Sequence, residues 1–595
     1  MTAQGGDPSG VLRPVEAGGL WLFALGGAVT MFLVQPPADL WPLAWLAPLP
    51  WLTLVAAPAI PARGPWGILW CAGLLHWLAA IHWLRLPHPA TSIGWVALSA
   101  YLGCYLPLFV WTARRLVHRW RWRLVPAATV AWVACEQLRG WVLGGFTFAG
   151  LGHTQWRWTT LIQSADAVGA VGVGGVVMAV AAGIWVACRA VVERRHGRPG
   201  DGLLEAAAAG MLLAVVLGYG GWRLATPPAS RAAPLDVLLV QGSIDTELKH
   251  DPEAAADVAR QYDELTQGGL AAGLQRPDLV VWPETMWRWG LVEIDPAWVL
   301  DEEVVERMAG PAPPGADEAV RNERQARARA ALAQERLDAL ARFARRYATN
   351  WLVGLDRQVI TPRASSGAEN FNSALFLDAQ GQPLACYDKM HPVMFGEYVP
   401  LADRFPFLYS LTPLPAGLTA GSEPVAVRIG GHEVAPTICY ETALPGAIRA
   451  IVRGLAARGR RPDVLVNLTN DGWFWGSSEL DMHLAAAIFR AVEVRTPLVI
   501  AANTGFSASI DGSGRLLARG PRRATATLRA AVTTDGRTSP WLVAGSLPAW
   551  LCVAVAGVVA VEWVATRPRH PGGLSAGGAG GKPFERDRSA GRSEI

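Results

Sequence analysis

The chain has 595 residues, of which 51% are apolar and 17% charged, and 18 of its 28 tryptophans fall within the first 222 positions. That length exceeds one ordinary compact domain, and tryptophan crowded into an apolar half excludes a purely soluble protein, because tryptophan concentrates where apolar segments meet a membrane interface. The formal net charge of +4 comes without a basic stripe interleaved with aromatics, which argues against nucleic acid as a partner.

A helix crosses a bilayer with about 20 mostly apolar residues. Stretches of this kind run over residues 17–34, 40–57, 66–84, 92–111, 125–142, 163–188 and 203–222, and an eighth covers 541–564. The first resembles a secretory signal peptide, but six further spans before the polar region mark it as an uncleaved anchor. Arg114, Arg115, Arg119, Arg121 and Arg123 follow the fourth span, and Arg189, Arg194, Arg195 and Arg198 follow the sixth. Arginine-rich short loops stay in the cytoplasm, so the N-terminus is expected inside, residues 234–540 outside, and the tail beyond 567 inside and disordered.

Between the seventh and eighth spans, short β-rich runs alternate with helical stretches, the pattern of an α/β domain. Strands are expected at 235–241, 279–282, 351–355, 374–377, 434–439, 464–468 and 498–502. Residues 300–346 read as an exposed Pro-Gly loop leading into a solvated Arg/Ala/Glu helix.

Only three of the 53 basic residues are lysines: Lys249, Lys389 and Lys582. Where arginine is the default, a retained lysine points to a site that needs a compact ammonium, although Lys582 in the tail fits chance equally well. Cys71, Cys104, Cys135, Cys188 and Cys552 lie in apolar runs, where cysteine acts as a small hydrophobe, which leaves Cys386 and Cys439 in the polar region. An extracytoplasmic pairing of those two is the structural alternative to a free thiol.

Three polar segments end apolar strand-like runs: Trp282-Pro283-Glu284, Tyr387-Asp388-Lys389 and Cys439-Tyr440-Glu441. Strand ends facing one crevice are where α/β folds assemble sites. Together these segments supply a nucleophile, a base and a cation, the parts required when a thiol attacks a carbonyl and an oxyanion develops.

The Glu284, Lys389, Cys439 order resembles the nitrilase superfamily, and with eight spans the chain resembles the apolipoprotein N-acyltransferases. Supporting segments are Val240-Gln241-Gly242, Asn372-Ser373-Ala374-Leu375, the run from Phe395 to Pro400, and the run from Asn467 to Phe474. The resemblance implies a membrane domain of seven helices over 1–230, an extracytoplasmic αββα nitrilase-like sandwich over 234–540, a transmembrane helix over 541–566 and a cytoplasmic tail over 567–595, in a bacterial inner membrane with the sandwich facing the periplasm. It implies a ping-pong reaction: the cysteine takes an acyl chain from a phospholipid, usually phosphatidylethanolamine, and passes it to the α-amine of a lipoprotein's diacylglyceryl-cysteine. Glu284 is then the general base, Lys389 the partner of thiolate and oxyanion, Cys439 the nucleophile and Glu397 an assisting glutamate. Tyr440 and Glu441 shape the pocket or a mobile arm, or serve packing and an ion pair.

The chain departs from the family in having Pro392, Val393 and Met394 where Leu-Val-Pro usually precedes Phe-Gly-Glu, and His250 after Leu248-Lys249 where tryptophan is common. The first change implies a different bend after Lys389, the second an altered acyl-chain contact. Glu136, Arg139 and Asp166 are charges in apolar runs, where cost demands a paired or functional role. No metal or other cofactor is implied, since His391 and His483 lack ligand-like spacing. The alternatives are a membrane-tethered amidase that releases its acyl group to water, and a transporter or receptor whose outer domain only binds.

Overall fold

The computed structural model describes residues 14–566 apart from 62, 197–201, 230–231, 246–252, 274, 365, 403 and 412–416. The expectations for Leu248-Lys249-His250 and for the tail over 567–595 lie outside the described residues.

Runs of Val, Leu and Ile with a period of two form strands whose side chains alternate between two faces. Strands β1 (Leu235–Gln241), β2 (Leu279–Ile294), β3 (Asn350–Ile360), β4 (Ala368–Leu377) and β5 (Pro383–Asp388) belong to one sheet. The second holds β6 (Val427–Ile429), β7 (His432–Ile438), β8 (Val464–Thr469), β9 (Leu498–Ala502), β10 (Ala508–Ile510) and β11 (Leu516–Arg519), while β12 (Ala526–Val532) returns to the first. Their orders are β12-β1-β2-β3-β4-β5 and β11-β10-β9-β8-β7-β6. In each sheet three central strands run parallel, β1-β2-β3 and β7-β8-β9, with antiparallel strands outside them.

The alternation along β1 shows how the layers form. Leu235, Val237 and Leu239 meet Val434, Val464 and Val466 between the sheets. Leu238 and Val240 point the other way, onto Val258 and Tyr262 of the helix Ala255–Ala271 and Leu340 and Ala344 of the helix Glu318–Tyr347. The outer face of the second sheet is covered by the helices Pro445–Ala457 and Glu479–Val494. The expected αββα sandwich is therefore present.

Ahead of it, apolar helical segments cover Ala17–Leu33, Trp41–Ala56, Pro65–Ala80, Thr91–His118, Leu124–Arg139, Ala165–Arg195 and Leu203–Ala225, and Leu547–Ala565 follows it. Among the described residues, Thr91–His118, Ala165–Arg195, Leu203–Ala225 and Leu547–Ala565 are long and apolar enough to cross a membrane. The helix Ala165–Arg195 breaks at Gly169, whose φ of 69° suits glycine. Beyond the break, the carboxylate of Glu493 accepts the N–H of Ala170 at 2.8 Å.

The two parts share a core. Leu161, Ile162, Val173 and Val176 from the apolar half pack with Leu484, Ile488, Phe489 and Val492. All residues of Glu479–Val494 except Asp481 are buried, as expected of a helix covered on every side. Buried charge joins the same boundary: Arg495 places Nη2 and Nε 2.5 and 2.8 Å from Asp166 Oδ2. Arg223 Nε lies 2.7 Å from that oxygen.

Candidate active site

The first sheet presents Glu284 at an irregularity. Pairing between β2 and β3 shifts register between Trp282 and Trp287, and Thr285 has φ 57°, so the strand is re-aimed where the glutamate stands. Gly354 permits the close approach beneath it, since a Cβ there would lie 2.3 Å from the carbonyl oxygen of Pro283. Both carboxylate oxygens of Glu284 are held: Asn372 Nδ2 donates to Oε1 at 2.6 Å and the N–H of Asn470 to Oε2 at 2.8 Å. The supporting motifs around Asn372 and Asn470 thus meet on Glu284.

Lys389 follows β5 and is 1% exposed. Its Nζ donates to Glu397 Oε1 at 2.7 Å and lies 3.8 Å from Glu284 Oε1. Burial alone lowers an ammonium's pKa, but Glu397, Cys439 and Glu284 outweigh it and hold Lys389 above its ordinary value. The lysine is a permanent cation. Glu397 is fixed in turn by the N–H of Val393 at 2.7 Å, so the loop with the unusual Pro392-Val393-Met394 run still brings its glutamate to the lysine.

Cys439 ends the run that begins with β7. The strand stops at Ile438, and the cysteine opens a 3-10 turn, Cys439–Ala443, with φ 50°. A left-handed backbone at a non-glycine residue costs on the order of 1–3 kcal/mol and persists only where its surroundings enforce it. Burial, then the charge of Glu284, push the Cys439 thiol well above its ordinary pKa, and the opposing pull of Lys389 does not cancel them. The resting group is a thiol.

Cys386, on β5, and Cys439 are both free. Burial pushes Cys386 up to about 12, a poor nucleophile at neutral pH.

Glu441 is fully buried and joins the two strand ends. Its Oε1 accepts the N–H groups of Met390 and His391 at 2.8 and 3.1 Å, and its Oε2 accepts the N–H of Ile438 at 2.8 Å. Tyr440 points toward the apolar helices, where its hydroxyl donates to Gly145 O at 3.0 Å and its ring meets Phe148. Thr147 Oγ1 donates to Ala443 O at 2.5 Å, so the segment after the helix Leu124–Arg139 clasps the cysteine turn at both ends. Glu136 and Arg139 form an ion pair at 3.7 Å that supports this segment: Leu151 N–H donates to Glu136 at 2.9 Å and Arg139 donates to Phe148 O at 2.6 Å.

His483, expected to stand alone, has two carboxylate neighbours. Asp471, Glu479 and His483 each offer a ligand atom within 4.8 Å of the others, a set that could hold a metal. Hydrogen bonding uses the imidazole otherwise. Nδ1 faces Asp471 Oδ1 at 3.2 Å, while Nε2 faces Thr442 Oγ1 at 2.7 Å and Cys439 O at 3.2 Å. Both ring nitrogens of His483 are thus turned to hydrogen-bond partners, a carboxylate on one side and a hydroxyl and a carbonyl on the other. Its i, i+4 spacing from Glu479 was the available signal, and Asp471 lay within the supporting run from Asn467 to Phe474.

Comparison with known proteins agrees with this architecture. Residues 27–183 match the apolipoprotein N-acyltransferase N-terminal domain, and residues 239–539 match the carbon-nitrogen hydrolase domain. The apolipoprotein N-acyltransferase of Geobacter metallireducens is 31% identical over 91% of this chain and 94% of its own length. That of Rhodopirellula baltica is 29% identical over 91% and 97%. Among solved structures, a nitrilase-superfamily amidase from Nesterenkonia AN1 aligns over 54% of this chain and 97% of its own, at 17% identity and a TM-score of 0.33. By the two domain matches and the sequence relatives the chain is a membrane acyltransferase, and it belongs to the apolipoprotein N-acyltransferase family.

Proposed function

We propose that Cys439 is the acyl-carrying nucleophile, Glu284 its general base and Lys389 the cation that stabilises the oxyanion. The thiol proton passes to Glu284 as Sγ bonds to the carbonyl carbon of a phospholipid ester. Lys389, and the backbone N–H groups of the turn that lack intrahelical acceptors, take up the developing negative charge. When the ester C–O bond breaks, the lysophospholipid oxygen leaves with the proton from Glu284, and a thioester remains. The lipoprotein's amine then attacks the thioester, Glu284 accepts the amine's proton, and Sγ departs and is reprotonated. Oxyanion stabilisation of this kind is worth about 3–4 kcal/mol.

The observation that carries this reading is the pairing of Lys389 with Glu284 and Glu397 beside a strained cysteine turn clasped by the apolar half. Glu397 balances the lysine without competing for the thiol proton, and Glu441 and Tyr440 fix the turn from opposite sides. The donor is phosphatidylethanolamine and the acceptor a diacylglyceryl-cysteine. Residues 1–230 and 541–566 form eight spans in a bacterial inner membrane, with 234–540 in the periplasm and 567–595 in the cytoplasm. The arginine-rich connections support that orientation, which reporter fusions after Arg195 and after Val532 test by opposite signals.

The chemical test is intact mass spectrometry of the purified chain with phosphatidylethanolamine. A hydroxylamine-labile acyl adduct is expected on the native chain and on Cys386→Ser, and none on Cys439→Ala. Discharge onto a diacylglyceryl peptide identifies the acceptor, whereas discharge only to water would favour an amidase.

A further inference from the structure

The nucleophile's own carbonyl is unusually well held. Cys439 O accepts from Asn467 Nδ2 at 3.2 Å and Thr442 Oγ1 at 3.1 Å, and His483 Nε2 faces it at 3.2 Å. A carbonyl oxygen can only accept, which favours a proton on the Nε2 that faces it, and the Thr442 hydroxyl lies 2.7 Å from the same nitrogen. On the far side of the ring, Asp471 Oδ1 is itself fixed by Thr469 Oγ1 at 2.8 Å. Gly505 backs the same carboxylate: a Cβ there would fall 2.0 Å from Asp471 Oδ2.

The peptide unit that contains this carbonyl also contains the N–H of Tyr440. Being at the start of the turn, that N–H has no intrahelical acceptor, and it directly follows the reacting sulfur in the chain. Donors placed on a peptide oxygen polarise the whole unit and strengthen its N–H as a donor.

We propose that His483 is a positioning residue for acyl transfer: as an imidazolium anchored on Asp471, it grips the carbonyl of Cys439, sustains the left-handed turn and aims the Tyr440 N–H at the acyl oxygen. This deepens, and rests on, the assignment of Cys439 as nucleophile.

The charged groups around the ring are consistent with one resident proton. Asp471 faces it from the turn Asp471–Phe474 and Glu479 from its own helix; the Cys439–Ala443 turn presents oxygens, and the Phe148 ring closes the membrane side 6.4 Å away. Burial alone lowers the imidazole's pKa, but Asp471 and then Glu479 outweigh it and push it up to about 9. Burial, then the charge of Asp471, raise Glu479 well above its ordinary value, and Asp471 is the carboxylate in direct contact with the ring.

The test is the rate of Cys439 acyl-adduct formation across pH in the full chain with phosphatidylethanolamine, for the native chain, His483→Gln and Asp471→Asn. Glutamine can still donate once but carries no charge. The native rate should fall as pH rises through about 9, where the second ring proton is lost. His483→Gln should be roughly 100-fold slower with KM for the lipid nearly unchanged, and should lack that basic limb. Asp471→Asn should move the limb to lower pH, because the charge that retains the proton is gone. A His483→Gln chain as fast as the native one, or slowed with the same limb, overturns the proposal. A native rate flat through the limb overturns it with no variant at all. If the native chain forms no adduct at any pH, the acyl-transfer reading itself fails, and this inference with it.

Discussion

The hydroxyl of Tyr387 lies 2.8 and 2.9 Å from the two carboxylate oxygens of Glu441, within a layer where both side chains are fully buried. Tyr387 is on β5, two residues before Lys389, and Glu441 is two residues after Cys439, so this contact ties the strand end that carries the lysine to the turn that carries the cysteine. Tyr387→Phe should cost about 1–2 kcal/mol, because Glu441 keeps its backbone donors. Glu441→Ala should cost more and abolish adduct formation, since three backbone N–H groups lose their acceptor. Thermal unfolding in detergent, read alongside adduct formation, separates the two.

The charge of Glu284 acts on the thiol in a direction that can be measured. It raises the Cys439 pKa, second only to burial. Glu284→Gln removes that charge, so the thiol should ionise at lower pH and react faster with iodoacetamide at pH near neutral. Acyl transfer should instead drop by roughly 100-fold or more for want of a base. Opposite changes in the two rates are the expected signature; a fall in both would remove Glu284 from the thiol's surroundings.

At the boundary between the two halves, Asp166 carries the charge of Arg495 and Arg223 and accepts Tyr219 Oη at 2.6 Å. Asp166→Asn should destabilise the chain by roughly 3–5 kcal/mol by leaving buried guanidinium charge unpaired. Adding Arg495→Met should restore part of the loss. Unfolding temperatures of the single and double variants decide this.

Tyr440 and Thr147 reach across the same boundary in opposite directions. Tyr440→Phe and Thr147→Val should each cost about 1 kcal/mol, and the pair should fall short of the sum by at least about 0.5 kcal/mol if they close one clasp. Strict additivity would mean that the two contacts act separately.

Much of this was legible in the residues. The strands at 235–241 and 498–502 fall where the alternation and β-branched content place them, and those beginning at 279 and 350 extend further because pairing continues past a bulge. Five strands escaped notice for physical reasons: β6 and β10 have three residues, β11 has four, and β5 and β12 are sheet edges whose half-exposed side chains leave no clean alternation. Arg529, in the middle of β12, looks like a loop residue until Asp236 of β1 is found 2.5 Å away. In the site, Glu284, Lys389 and Cys439 stood out by type and order, and Glu397 only through the family resemblance. The hold on the Cys439 carbonyl did not, because Asn467, Thr442 and His483 converge only after strand, turn and helix have packed.

The helix Glu479–Val494 turns one side to the second sheet and the other to the apolar helices. Their side chains pack directly together, so the sandwich is not cargo on a tether, and residues 234–540 produced alone would bare a greasy flank and precipitate. A freely dissolved enzyme built on the same two sheets would have to write charge onto that flank.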